Sequence, residues 1–296
     1  MRGAEAAPGT LIPQEVRAVF WLKKRRRQRL KGKPFPAQWL ATIERNVPHY
    51  RRLPAADQEE LQGLVQVFLA EKNFEGAGGL SITDEIRVTI AAQACILLLR
   101  RKTDIYPRLR SIIVYPHAYT APMRQPLPGG AVMEGTQVRL GESWSRGAVV
   151  LSWDDVVRGA WDIDDGRNLV FHEFAHQLDD EAGPADGAPR LPHHSMYIAW
   201  ARVLGGEYRN LIESIERHRP TLLHPYGATN PAEFFAVATE LFFEQSHQLR
   251  ARYPELYDQL RLFYQQDPAL LRDDARPGPS KIDVGDGPRD GPAPGS

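Results

Sequence analysis

The chain has 296 residues, with 37 Lys and Arg against 37 Asp and Glu, and one cysteine. Zero formal net charge offers no global attraction to nucleic acid or an anionic membrane, and the lone Cys95 excludes an internal disulfide and gives no reason to invoke an oxidising compartment. The amino terminus lacks the charged start, apolar stretch and small-residue cleavage site of an export signal, so cytoplasmic residence is the expectation.

Residues 1–10 and 273–296 are rich in Pro, Gly, Ala and Asp, with little to bury, and are expected to be disordered. Between them one α+β domain is expected over 11–272, with a largely helical half to about residue 105 packed on a second half over 106–272, because no composition break marks a linker. The basic run Lys23 to Lys33 reads as a solvated helix, since no second basic cluster supports a phosphate-binding role. Asp57 to Lys72 and Thr83 to Arg101 read as helices, the latter capped by Ser81 or Thr83. Gly76-Ala-Gly-Gly79 lacks the following Lys-Ser or Lys-Thr of a phosphate loop and reads as a turn. The apolar run Ile90 to Leu99, which contains Cys95, is too short to span a bilayer and reads as a core helix.

Ser111 to Tyr115 and Ala148 to Trp153 are β-branched runs bounded by breakers, the strands of a small sheet. His172-Glu-Phe-Ala-His176 follows. On a helix the two histidines fall within about 40° of each other, so both imidazoles can grip one metal ion with Glu173 beside it, the HExxH pattern of a zinc peptidase. Val170, Phe171, Phe174 and Leu178 supply an apolar back, and the helix stops at Asp180-Glu-Ala-Gly-Pro184. Asp179 shares the histidine face but lies about 10 Å along the axis from His172, too far to join both histidines on one ion. Two readings stand for it: an anchor or acceptor behind the ligands, and plain solvation. The adjacent His193 and His194 diverge beside Pro192 and read as loop, while His224, two residues before Tyr226, has no assigned role.

Catalytic zinc takes three protein ligands, so a third lies elsewhere. Asn230 and Pro231 open a helix whose Glu233 is either the far half of a capping box or a ligand. Glu240 and Glu244 share its face, and either could bind metal or orient a ligand, Glu240 being the alternative third ligand. Tyr226 on local grounds is a loop tyrosine packing its ring. Asp179 and Ala182 occupy the positions where a metzincin has glycine and its third histidine, which leaves a glutamate-ligand zincin.

From about Leu30 to about Pro268 the chain resembles the Mlc titration factor A family. The likeness runs through Lys33-Pro-Phe, Gly79 to Val88, Ala91-Ala-Gln-Ala-Cys95, Val149-Val-Leu-Ser-Trp153, Asn168 to Asp179 and Asn230 to Val237. These are bacterial zinc metallopeptidases similar to the protease domain of anthrax lethal factor. The resemblance implies one zinc per chain on His172, His176 and Glu233, in preference to Glu240. It makes Glu173 the general base and Tyr226, seven residues before the glutamate ligand, an assistant in catalysis. It also implies hydrolysis of peptides with aminopeptidase-like activity. Enzymes of this kind lay substrate along an exposed strand edge, for which Val149 to Trp153 is the candidate, an internal strand being the alternative. The family name records sequestration of Mlc, a transcriptional repressor of glucose-uptake genes. A regulatory protein that binds such a repressor, and so controls expression of the glucose phosphotransferase genes, is therefore the second expectation. Neither nucleic acid nor membrane is expected as a partner.

Overall fold

The computed structural model describes residues 14–117, 120–126, 132–138, 147–181, 183 and 185–271. The termini expected to be disordered, 1–10 and 273–296, lie outside them. Four helices lead the chain: α1 (Gln14–Lys31), α2 (Ala37–Asn46), α3 (Pro48–Arg52) and α4 (Ala55–Glu71). Leu61, Leu64, Val65 and Phe68 of α4 are buried. α1 lies on α4, fastened by Arg27, which donates to both oxygens of Glu71 at 2.8 and 2.6 Å and pairs with Asp104. Lys23 joins Asp104 at 2.9 Å. Arg26 donates to the Ala70 carbonyl at 3.1 Å, so three cations of the basic run are tethered, whereas Lys24, Arg25, Arg29, Lys31 and Lys33 are exposed, with Trp21 and Leu22 beside them.

β1 (Asn73–Gly76), α5 (Asp84–Ile96) and β2 (Ser111–Tyr115) form a strand–helix–strand unit with parallel strands, Asn73 opposite Ser111. Thr83 caps α5, accepting from the Ile86 amide at 3.3 Å. The helix ends at Ile96, short of the expected Arg101, where the chain turns through Arg100 at a φ of 61°. β3 (Thr120–Pro126) and β4 (Val132–Val138) make a separate antiparallel pair, and β5 (Ala148–Ser152) runs parallel to β2 with Ala148 opposite Ser111. The sheet order is β1-β2-β5, so β5 forms an edge among the described residues. Trp153, expected at the end of that strand, instead opens α6 (Trp153–Trp161), because Ser152 accepts the Asp155 amide at 3.2 Å and caps a helix there.

The remaining elements are helical: α7 (Leu169–Asp180), α8 (Met196–Glu216), α9 (Pro231–Glu244), α10 (Ser246–Arg252) and α11 (Pro254–Tyr264). The fold is therefore mixed, mainly helical with a small parallel sheet. One apolar cluster of buried residues runs from Ile43 to Ala269. Phe174 of α7 meets Tyr106 at 4.8 Å and Phe68 at 5.8 Å between ring centroids, while Phe171 meets Phe243 of α9 at 5.2 Å. The back of α7 is thereby anchored in the core. No described helix is long and apolar enough to cross a membrane.

Candidate metal centre

α7 begins where Asn168 accepts the Phe171 amide at 3.0 Å, a side-chain cap that is itself fixed by donating to Gln93 Oε1 at 2.9 Å and the Gly159 carbonyl at 3.0 Å. It ends at Asp180, ahead of Gly183 at a φ of 151°. Val170, Phe171, Phe174 and Leu178 form the buried back that the sequence pattern predicts. The polar front is buried too: α9 packs across it, leaving Glu173 3% and His176 0% exposed.

α9 has no solvent side, every residue from Ala232 to Glu244 being buried. Carboxylates inside such a helix must find partners. Asn230 caps it, accepting the Glu233 amide at 3.0 Å. The Glu233 carboxylate, however, turns away from the cap towards α7, with Oε2 3.0 Å from His172 Nε2 and 3.3 Å from His176 Nε2. The two Nε2 atoms are 3.2 Å apart. Three donor atoms from two helices therefore form a nearly equilateral triangle, and these three residues are the group that could hold a metal ion among the described residues.

Glu240, one face and two turns along from Glu233, approaches the opposite nitrogen of the same ring, Oε1 lying 2.7 Å from His172 Nδ1. Its other oxygen accepts the Asn168 amide at 2.7 Å. Glu240 thus faces the other edge of the His172 ring instead of joining the triangle, and it is not in the group of three residues that could hold a metal ion. Glu244 is likewise absent from it, and burial, reinforced by the charge of Glu240, drives its carboxyl well above the usual range.

Tyr226 sits in a 3₁₀ turn, Pro225–Ala228, with its ring centroid 6.0 Å from that of His172 and 47% of its surface exposed. His224 fixes the turn by accepting the Tyr226 amide on Nδ1 at 3.2 Å. Half-burial, together with the charges of Glu233 and Glu173, raises the phenol to about 12. Burial alone would lower His172, but the Glu240 charge and the bonds to both glutamates hold it well above the normal imidazole range. Burial prevails at His176, which falls to about 4. At Glu233 the two imidazoles override burial and bring the carboxylate to about 2.

Asp179 is fully buried and accepts the Gly187 amide at 2.7 Å, which makes it an anchor and removes the solvated reading. Gly187 is a hub: its carbonyl accepts from Trp200 at 2.9 Å, and a Cβ there would lie 2.4 Å from the Pro231 carbonyl oxygen. His193 and His194 stay exposed in the loop before α8, as expected. The contact of Glu240 with His172 was visible in sequence only as shared-face spacing, and the Asp179–Gly187 link not at all.

The model of the glucose-regulated metallo-peptidase family M90 matches residues 21–265. An uncharacterized protein of Synechocystis sp. is 41% identical over 84% of this chain and 91% of its own length. Proteins called Mlc titration factor A are similar: that of Serratia proteamaculans is 31% identical, covering 78% of this chain and 88% of its own, and that of Klebsiella pneumoniae 31%, covering 75% and 84%.

Proposed function

We propose, from the premise that this chain belongs to the glucose-regulated metallo-peptidase family M90, that it is a zinc-dependent peptidase of the zincin type with a glutamate ligand. His172, His176 and Glu233 hold the metal, Glu173 is the general base and Tyr226 the oxyanion donor. The observation that carries this reading is the donor triangle. Tetrahedral zinc with bonds of about 2.0–2.1 Å requires its ligand atoms about 3.3–3.4 Å apart, and the observed edges are 3.0, 3.2 and 3.3 Å. Two imidazoles and a carboxylate are also the donor types that suit zinc.

When bound, zinc would act as a Lewis acid on the scissile carbonyl and bring the pKa of a water towards about 7. Glu173 takes one proton from the attacking water and returns it to the leaving amine as the C–N bond breaks. Tyr226, still protonated at neutral pH because its pKa is about 12, donates to the developing oxyanion. Its exposure marks the side from which substrate enters. The edge strand β5 supports extended binding of a peptide through backbone hydrogen bonds. Short peptides with a free amino end, one domain spanning 11–272 and residence in the cytoplasm belong to the same proposal.

The deciding experiment is Glu173→Gln, with metal content and peptide hydrolysis measured on one preparation. We expect zinc to be retained and hydrolysis to fall by about 10²–10⁴; a zinc-loaded variant as fast as wild type would remove Glu173 from the reaction.

The name of the relatives favours a second reading, capture of an Mlc-like transcriptional repressor. His172→Ala separates the two. Undiminished repressor capture by this inactive variant would mean that binding uses a surface apart from the metal centre, and the two functions would coexist.

A further inference from the structure

We propose that Glu240 is a positioning residue for the metal centre, clamping His172 so that Nε2 alone is presented to the ion. This rests on the metallopeptidase reading given above. The His172 ring lies between two carboxylates of one helix, with Glu233 Oε2 3.0 Å from Nε2 and Glu240 Oε1 2.7 Å from Nδ1. Seven residues separate Glu233 from Glu240, which returns α9 to within about 20° of the same face about 10 Å further on. That spacing matches the need to reach both edges of an imidazole standing across the helix.

The second oxygen of Glu240 gives the clamp its direction. It accepts the Asn168 amide at 2.7 Å, and Asn168 is the cap of the helix that carries His172. One carboxylate therefore fixes both the ring and the start of its helix, and Asn168 passes the constraint on to Gln93 of α5 and Gly159 of α6. A carboxylate is the group this position requires. Both atoms facing it are N–H donors once the Nε2 lone pair is committed to metal, and only an ionised carboxylate offers acceptors to both. Glutamine would match one donor and set its own NH₂ against the other. With Glu240 8% and Asn168 1% exposed, bulk water has little access to take over either bond. Fixing the ring tautomer by a carboxylate behind the ligand is a general means of strengthening a metal site.

The test is Glu240→Gln beside His172→Ala and wild type, each titrated with zinc against a chromophoric chelator and examined with cobalt(II) by visible spectroscopy. We expect Glu240→Gln to bind zinc about 10–100-fold more weakly, to alter the cobalt bands, and to regain part of its hydrolysis at saturating zinc. Zinc affinity and cobalt bands unchanged from wild type would overturn the proposal. If His172→Ala also binds like wild type, or wild type binds no zinc, the metal-centre reading itself fails; if only His172→Ala loses zinc, Glu240 alone is discounted. A measurement on the wild type covers a variant that does not fold. In ¹⁵N-histidine spectra of the zinc-loaded protein, His172 should show a protonated Nδ1 with a strongly downfield proton, and an unprotonated Nδ1 would overturn the clamp.

Discussion

Among the site side chains, Tyr226 alone stands half in solvent, and its ring reaches the centre from a turn instead of from α7 or α9. Tyr226→Phe keeps the ring against His172 and removes only the hydroxyl. Its kcat should fall by about 10²–10³, as for loss of one oxyanion donor, with zinc content unchanged in elemental analysis. Asp179 has a different consequence. Burial first, and the nearby charge of Asp186, raise its carboxyl from 3.8 to about 7 against the bond from Gly187. The folded state then holds a proton between about pH 4 and 7 that the unfolded chain releases, so this group's contribution to stability declines as pH rises through that window and levels off above it. Asp179→Asn keeps the acceptor for Gly187 but has no proton to lose. Between pH 5.5 and 8, urea unfolding of the variant should lose about 1–2 kcal/mol less stability than wild type; an equal loss would mean that Asp179 titrates normally. Residue spacing made the two histidines and Glu173 legible in sequence, because one helix fixes their geometry. Glu233 and Glu240 were not separable by spacing alone, since which carboxylate meets Nε2 and which meets Nδ1 depends on how α9 crosses α7.

α7 and α9 act as a pair, and the loop between α7 and α8 sets their mutual position. Gly187 has a φ of 80°, is held by Asp179 and Trp200, and approaches Pro231 at the start of α9 too closely for a side chain. Gly187→Ala meets both a left-handed backbone and a backbone oxygen that cannot swing aside, so it should cost about 1–3 kcal/mol and weaken zinc binding by shifting Glu233. Thermal melts with zinc titration check both effects. By contrast, Asn230→Ala removes an ordinary cap and should cost about 1 kcal/mol. The cap was legible from Asn230-Pro231; that its capping box stays half made was not, because only the folded neighbour draws Glu233 away. β1 escaped sequence reading since Asn-Phe-Glu-Gly is short and polar, and its strand character comes from pairing with β2. α6 was not read from the sequence: only its first residue, Trp153, fell in the run assigned to strand, and its start is decided by the Ser152 cap.

At the scale of the whole molecule, a metal ion held by His172, His176 and Glu233 would crosslink α7 and α9. Zinc at about 100 times its Kd should stabilise the fold by about 2.7 kcal/mol, so a chelator should lower Tm by about 5–10 °C, and His172→Ala should show no such response. The balance of 37 basic and 37 acidic side chains conceals an uneven surface. With Lys23 and Arg27 neutralised by Asp104 and Glu71, the exposed cations Lys24, Arg25, Arg29, Lys31 and Lys33 still fall within one short segment, α1 and the two residues that follow it, and give the molecule a basic flank. A molecule near its isoelectric point of about 7.1 can therefore adhere to a sulfonate resin by that flank, orienting as it docks, and elute only as salt is raised. Replacing Lys24, Arg25 and Arg29 by glutamine should bring it off the column early, whereas the same three changes scattered elsewhere would leave its retention nearly intact.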